Sequence, residues 1–158
     1  MTRRDQQIGK GQLLIAMPAL NDPNFLQAVV LLCNYGSDGA LGVILNRPTE
    51  IAVSALVHDF PSMTGSERIY EGGPVAKNGM LVLCRGQATD GGNIIIEDVF
   101  LARDLDTLKG EAVAINPYSE IRCYLGYAGW VPGQLEDEVK TGSWRTVQAD
   151  PTLVFDAD

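Results

Sequence analysis

The sequence is poor in the residues that most catalytic and metal sites require. It contains one histidine, His58, and three cysteines, at positions 33, 84 and 123. A Ser-His-Asp or Cys-His device would have to use His58, but no nucleophile motif such as G-x-S-x-G is present. The carboxylates are not placed at ligand spacing on a recognisable loop, so zinc and calcium motifs are missing too. We therefore predict no metal and no cofactor, and we favour a non-enzymatic protein while leaving an enzyme open.

Long apolar runs and basic charge are also scarce. No apolar run reaches the ~18 residues of a membrane span. The segment "LLIAM" near the start is too short for a signal peptide, and no cleavage motif follows it. Lys and Arg number 12 against 20 Asp and Glu, which gives a net charge of −8. Because nucleic-acid affinity comes mainly from cations that neutralise phosphates, this charge predicts a protein that does not bind nucleic acid. The lack of a membrane span and of a signal peptide predicts a cytoplasmic protein that does not bind membrane.

The cysteines lie in three separate apolar segments, "VVLLCNY", "MLVLCRG" and "EIRCYLG". An odd number of cysteines at wide spacing indicates neither a disulfide framework nor a metal site. Buried, reduced thiols of a cytosolic protein are the expected state.

The hydrophobic pattern predicts more strands than helices. Residues 11–17 read as a buried strand, and residues 27–34 and 39–46 as a hairpin with Asp38-Gly39 at its turn. Gly42, inside the second strand of that hairpin, indicates a bulge or a close backbone approach. Further strands are predicted at 68–75, 78–86, 119–129 and 151–155, and residues 94–103 are predicted to form one strand or a pair of strands. Helices are predicted after Thr49, over 103–112, and in the acidic segment that follows Pro132.

These elements predict an α/β fold: a mixed, partly antiparallel sheet with helices packed on it. The length of 158 residues suits one domain, 1–158. Residues 51–110 lie between two strongly apolar blocks, so we predict that they form a small inserted α+β lobe.

Two short motifs outside the C-terminal third are candidates for ligand binding. In "LNRP", Asn46 and Arg47 end a buried strand, where α/β proteins commonly build sites, and Arg47 could hold an anion or an internal carboxylate. In "EGGPV", Gly72 and Gly73 could expose backbone N–H groups to an anion. The alternative for the two glycines is a structural corner that requires positive φ, which we favour.

The segment 126–144, "GYAGWVPGQLEDEVKTGSW", concentrates special residues around one short helix. Leu135 and Val139 form its apolar stripe, and Gly142 fits the position that closes a helix. These structural roles leave Trp130, Gln134 and Glu136 as candidate site residues. The two tryptophans could clamp the helix to the sheet or form the wall of a pocket.

The segments "GQLLIAMPALNDPNF", "GALGVILNRP", "YEGGPV" and "LGYAGWVPGQLEDEVKTGSW", in this order, resemble the YqgE/AlgH family of bacterial proteins. The resemblance spans about residues 11–156. It implies an α/β fold with a mixed sheet, a cytosolic bacterial protein, and for some members a regulator label. Asn34-Tyr35 departs from the acidic residue and histidine that the family often shows there.

Three functions follow as hypotheses. The first is a non-enzymatic binding or regulatory protein that acts through a protein partner or a small ligand. The second is a small-molecule-binding enzyme with a polar site formed by the LNRP, GGPV and GWVPGQLE segments. The third, a transcriptional regulator that binds DNA directly, is disfavoured by the acidity and by the lack of a helix-turn-helix pattern. The sequence predicts no particular oligomeric state.

Overall fold

A computed structural model describes residues 8–20, 22–56, 68–86, 92–102 and 120–156. Within these residues, the strands are β1 (Gln12–Ala16), β2 (Val29–Gly36), β3 (Gly39–Ile44), β4 (Pro48–Ala52), β5 (Arg68–Glu71), β6 (Val75–Arg85), β7 (Asn93–Ile96), β8 (Val99–Leu101), β9 (Glu120–Trp130) and β10 (Trp144–Gln148). The helices are α1 (Val53–Leu56), α2 (Gln134–Lys140) and α3 (Pro151–Asp156), and a 3₁₀ turn covers Pro23–Phe25. No helix among the described residues is long and apolar enough to cross a membrane.

The strands form one sheet in the order β10-β1-β2-β3-β9-β6-β8-β7. Strands β4 and β5 lie off this path, and β5 joins the sheet by pairing with β9. All strand pairs of the described residues are antiparallel except β5–β9. The last strand in the order, β7, returns towards the first half of the sheet, where Asn93 Nδ2 donates to the Cys33 carbonyl at 3.4 Å. The sheet is therefore strongly curved.

The curvature encloses the largest apolar cluster that the described residues form. Leu13 and Leu31 from one half of the sheet pack there with Leu83 and Tyr124 from the other half, and Phe155 of α3 joins them. Since neighbouring side chains of a strand point to opposite faces, Leu14 and Leu32 project outward into a second cluster, which α2 covers through its buried residues. Both faces of β1–β3 are thus buried, which explains their nearly continuous apolar sequences.

The predicted α/β class is wrong: the fold is a mostly antiparallel β-sheet with short helices. Two local misreadings contributed. Thr49, predicted as a helix cap, instead joins β4 to β5 by donating to the Ile69 carbonyl at 2.6 Å. Segment 151–155, predicted as a strand, is helical because Asp150 Oδ1 accepts from the Leu153 N–H at 2.8 Å, with Pro151 as the first helical residue.

Other local predictions are confirmed. The hairpin β2–β3 is present: Ser37 and Asp38 form its turn between the paired Gly36 and Gly39, and Gly39 has the expected positive φ, +119°. The register shifts between Leu32 and Asn34 beside Gly42, where an added Cβ would lie 2.6 Å from Val30 Cγ1. The cysteines are buried free thiols in β2, β6 and β9.

The helix predicted over 103–112 and His58 lie outside the described residues. The division of the chain into one domain of 1–158 with an inserted lobe at 51–110 stays a prediction. Within that range, β6 pairs along β9 from Val75 to Arg85.

Candidate functional site

Helix α2 and the two tryptophans form the centre of the candidate region. The helix begins at Gln134, after Gly133 at φ +85°, and therefore starts two residues beyond Pro132. Leu135 and Val139 are buried as predicted, and Gly142, at φ +83°, follows the C-cap. The acidic helix thus rests its apolar stripe on the outer face of the sheet.

Both indoles donate to a single carboxylate. Glu138 Oε1 accepts from Trp130 Nε1 at 3.0 Å and from Trp144 Nε1 at 2.8 Å. Gln134 Nε2 donates to the other oxygen of Glu138 at 3.1 Å, while Gln134 Oε1 accepts from the Val131 N–H at 3.1 Å. Trp130 and Trp144 are buried, with ring centroids 5.9 Å apart in an edge-to-face arrangement. Of the two roles that the sequence left open for the tryptophans, these contacts match the clamp.

Phe25 completes this group, which we call the tryptophan cluster (Phe25, Trp130, Glu138 and Trp144). Its ring stacks on Trp130 with centroids 6.3 Å apart and meets the edge of Trp144 at 5.5 Å. Phe25 ends the 3₁₀ turn, whose N-cap Asp22 accepts from the Asn24 N–H at 2.9 Å. The cluster therefore joins the loop before β2 to helix α2.

Asn46 and Arg47 bind the backbone of the same loop. Asn46 Oδ1 accepts from the Val29 N–H at 3.0 Å, and its Nδ2 donates to the Gln27 carbonyl at 3.0 Å. Arg47 donates from Nη1 to the Asn24 carbonyl at 2.6 Å and from Nη2 to the Leu26 carbonyl at 2.9 Å. We call these bonds the Asn46–Arg47 clamp.

Gly72 and Gly73 lie buried against β9. An added Cβ on Gly72 would overlap the Gly126 carbonyl oxygen, and one on Gly73 would overlap the backbone of Tyr127. The Gly72 N–H donates to the Leu125 carbonyl, and its carbonyl accepts from the Ile44 N–H, both at 2.8 Å. These contacts account for both glycines as a tightly packed corner, with φ +154° at Gly73.

Glu136 binds a residue that the sequence reading did not select. The Tyr35 hydroxyl donates to Glu136 Oε2 and links β2 to α2. This hydrogen bond, with smaller contributions from burial and from the Glu136 charge, raises the pKa of Tyr35 to about 12. The same bond is the main reason why the pKa of Glu136 is lowered.

The structure brings three of the predicted residues, Asn46, Arg47 and Trp130, to one loop, while Gln134 and Glu136 lie on α2, and Gly72 and Gly73 pack on β9. Asn46 and Arg47 reach residues 24–29, and Trp130 meets Phe25 of that segment. Gly72 is connected to the same end of β3 through Ile44. Their role in binding a ligand stays a prediction. Among the described residues, no group of three or more His, Cys, Asp and Glu side chains could hold a metal ion.

Sequence reasoning missed Glu138, Phe25 and Tyr35. One signal could have found Glu138: it lies four residues after Gln134, on the same helix face. Phe25 and Tyr35 carried no such signal, because their partners are distant in the chain.

The chain belongs to the AlgH-like family (DUF179), whose model matches residues 13–158. It is 40% identical over 146 residues to a UPF0301 protein of Streptomyces avermitilis, covering 89% of this chain and 76% of that protein. It is 38% identical over 157 residues to a UPF0301 protein of Chlorobaculum tepidum, covering 98% and 83%. The predicted membership of this bacterial family is therefore confirmed.

Two solved structures share the fold. The solution structure of the AlgH protein from Pseudomonas aeruginosa matches with a TM-score of 0.75 and 31% identity, over 99% of this chain and 84% of that one. The crystal structure of protein DIP2367 from Corynebacterium diphtheriae matches with a TM-score of 0.85 over 98% and 82%. At 23% identity, the second match supports the fold alone.

Proposed function

We propose that this protein is a non-enzymatic binding protein of the bacterial cytoplasm that recognises a protein partner through the loop and helix around the tryptophan cluster. The polar side chains of Asn46, Arg47, Gln134 and Glu136 all make hydrogen bonds within the protein. They therefore serve as positioning residues that shape a surface. The buried free thiols support a reducing compartment.

The observation that carries this proposal is a pair of exposed apolar side chains beside the cluster. Leu26 is 70% exposed and Val131 is 67% exposed. Each directly follows a member of the stacked pair Phe25–Trp130 in the chain, so both residues lie next to this stack. We call them, with the exposed Pro132, the Leu26–Val131 surface. Contiguous exposed apolar patches mark sites of protein interaction, and aromatic residues are enriched in protein interfaces.

The backbone at Gln27, the residue after Leu26, is held in a conformation that costs free energy. Gln27 has φ +58°, in the left-handed region that disfavours a side chain by about 1–2 kcal/mol. The Asn46–Arg47 clamp binds the carbonyls of Asn24, Leu26 and Gln27 and thereby fixes this conformation. A surface loop that presents an apolar residue on a fixed backbone loses little entropy on binding.

The charge around this surface selects the chemistry of the partner. The charged residues described on the loop, the clamp and α2 are Asp22, Glu136, Asp137 and Glu138 against Arg47 and Lys140. Acidic groups are in excess, as in the whole chain. The surface therefore suits a protein segment that combines apolar side chains with lysine or arginine.

The test compares the wild-type protein with Leu26→Asp and Val131→Asp variants as immobilised baits in a bacterial lysate. Ile94→Asp is the matched control, because Ile94 is 56% exposed but lies on β7, which contributes no residue to the tryptophan cluster. We expect a partner that the wild type and the control retain, that both surface variants lose, and that elutes with rising salt. Equal retention by all four proteins, or no retained protein, would contradict the proposal.

The negative charge of the protein argues against a transcriptional regulator that binds DNA directly. With a net charge of −8, the protein offers few cations to neutralise phosphates. We expect no mobility shift of duplex DNA at physiological salt. Binding that weakens steeply as salt rises would reverse this conclusion and favour a DNA-binding regulator.

A further inference from the structure

Strand β6 contains a large bulge near its start. Its register against β9 shifts between Val75 and Met80, so residues 76–79 stand opposite the single residue Gly126. Extra residues in a bulge lie outside the regular hydrogen-bond ladder of the sheet. All four of these residues are exposed. The bulge therefore presents a short turn of backbone to solvent in the middle of a sheet.

The bulge contains the one asparagine–glycine step of the sequence, Asn78–Gly79. In such a step the backbone nitrogen of the glycine can attack Cγ of the asparagine. An N–C bond forms and closes a five-membered succinimide ring, the bond from Cγ to the side-chain nitrogen breaks, and that NH₂ group leaves as ammonia with the proton of the glycine N–H. Water then opens the ring at one of its two carbonyls, which gives aspartate or isoaspartate. The reaction consumes one water molecule and needs no enzyme, metal or oxidant.

The local structure favours this ring closure at Asn78. Glycine places no Cβ beside the attacking nitrogen and tolerates the widest range of backbone angles, so the two reacting atoms can approach each other. The bulge already bends the chain: Ala76 has φ +52°, and an added Cβ on Gly79 would lie 3.3 Å from the Ala76 carbonyl oxygen. Pairing with β9 resumes at Met80, so the ring forms outside the regular ladder.

Asn24 provides the contrast within the same molecule. It is also exposed and also lies in a turn. The N–H that would attack there belongs to Phe25 and donates to the Asp22 carbonyl at 3.0 Å, while Arg47 binds the Asn24 carbonyl at 2.6 Å. The Phe25 ring is held by its stacking on Trp130. Ring closure at Asn24 would have to break these contacts, so exposure alone does not make an asparagine reactive.

We propose that Asn78 is a site of spontaneous deamidation in the folded protein, with the Gly79 nitrogen as the nucleophile. The product is a mixture of aspartate and isoaspartate at position 78. Each event adds one negative charge and takes the net charge from −8 to −8 − 1 = −9. This modification site is independent of the Leu26–Val131 surface, so its test does not depend on the proposed partner.

The test incubates the purified full-length protein in warm, mildly alkaline buffer, in parallel with a sample unfolded in urea. Ion-exchange chromatography follows the more acidic form, peptide mass mapping locates it, and methylation by a protein isoaspartate methyltransferase counts isoaspartate. We expect the folded protein to gain the mass of an amide-to-acid conversion in the Asn78 peptide and none in the Asn24 peptide. Isomerisation at Asp38-Gly39 or Asp90-Gly91 also yields isoaspartate, but it changes neither mass nor charge and is thereby distinguished.

An Asn78 peptide that keeps its mass in the folded protein would overturn the proposal. If it also reacts in urea, the fold prevents the attack; if it reacts in neither sample, the step is not reactive in this sequence. Either result removes Asn78 as a modification site of the native protein.

Three variants assign the reaction to this step. Asn78→Gln keeps the amide but lengthens the side chain, so the acidic form should not accumulate over the same incubation. Gly79→Ala places a Cβ beside the attacking nitrogen and should slow accumulation several-fold. Asn24→Gln is the control and should deamidate as the wild type does. Accumulation of the acidic form by Asn78→Gln at the wild-type rate would place the reaction elsewhere and refute the assignment.

Discussion

At the scale of single residues, the carboxylate of Glu138 holds the tryptophan cluster together. It accepts hydrogen bonds from both indoles and from Gln134. An indole can only donate, so each buried tryptophan needs an acceptor. One carboxylate satisfies two indoles that begin and end the 130–144 segment, which explains why two tryptophans bracket one short helix.

Replacement of Glu138 tests this role. Glu138→Gln keeps the volume but replaces one acceptor oxygen by an NH₂ group, which would face the Gln134 donor. We expect the free energy of unfolding to fall by about 1.5–3 kcal/mol, the usual range for a hydrogen bond to a charged group. Urea unfolding followed by tryptophan fluorescence measures it. Asp137→Asn, at an exposed position of the same helix, should change stability by less than ~1 kcal/mol, and equal effects of both variants would refute the assignment.

Residue types alone gave part of this site. The sequence identified Trp130 and Gln134 as candidate site residues because the pattern of segment 126–144 gave them no evident structural role. The spacing of four residues could have identified Glu138 as the partner of Gln134, whereas Phe25, whose ring stacks on Trp130, became apparent only once the loop before β2 was placed against the tryptophans. The pattern of residue types along the chain does not specify which distant residues contact each other.

At the scale of elements, Tyr35 and Glu136 connect strand β2 to helix α2. The raised pKa of Tyr35 means that its contribution to stability is complete below the ordinary tyrosine pKa of ~10 and disappears as pH rises through about 12. The lowered pKa of Glu136 gives its contribution to stability the opposite pH dependence. Its contribution is present above the ordinary glutamate pKa of ~4.3 and is lost as pH falls through the lowered value.

Removal of the Tyr35 hydroxyl should flatten the acid side of the stability profile. We expect Tyr35→Phe to lose less stability than the wild type as pH falls from 7 to about 3, a range that spans the glutamate titration. Urea unfolding at each pH gives the profile. Glu136→Gln should behave in the same way, and the double variant should add nothing further. Parallel profiles for Tyr35→Phe and the wild type would show that the bond does not contribute.

The sequence predicted strands correctly where one face or both faces of the strand carried a consistent apolar pattern. β1, β2 and β3 followed from such patterns and from the Asp38-Gly39 turn. Short segments were less reliable: the helix predicted after Thr49 begins only at Val53, after β4, and α3 was predicted as a strand. In segments of five or six residues, one tertiary hydrogen bond, such as that from Thr49 to Ile69, outweighs local preference.

At the scale of the whole molecule, β9 connects the two halves of the sheet. It pairs with β3, β5 and β6. The corner at Gly73 packs directly on it: an added Cβ at Gly126 would overlap the Gly73 carbonyl oxygen, and Gly126 has φ +79°. Close backbone contact at this point sets the path of β5, β6 and β9 together.

A side chain at Gly126 should therefore destabilise the whole fold. For Gly126→Ala we expect a loss of about 2–5 kcal/mol, from ~1–2 kcal/mol of backbone strain and ~1–3 kcal/mol of overpacking. Gly129→Ala is the matched control on the same strand, because the nearest described atom to an added Cβ there would be Tyr127 Cε1 at 3.7 Å, an ordinary contact distance. Thermal and urea unfolding compare the two variants. Similar stabilities would show that the Gly73–Gly126 contact is not limiting.

The sequence by itself determined the family, the buried thiols, the central hairpin and the acidic helix with its buried stripe. These features depend on residues that are close in the chain, or on composition, so local physics specifies them. Only the tertiary structure decided that the sheet is almost wholly antiparallel, that Asn46 and Arg47 hold a loop, and that Glu138 joins two tryptophans. Strand order and side-chain partners join residues that are distant in sequence, and their energies exist only once the chain has closed around its core.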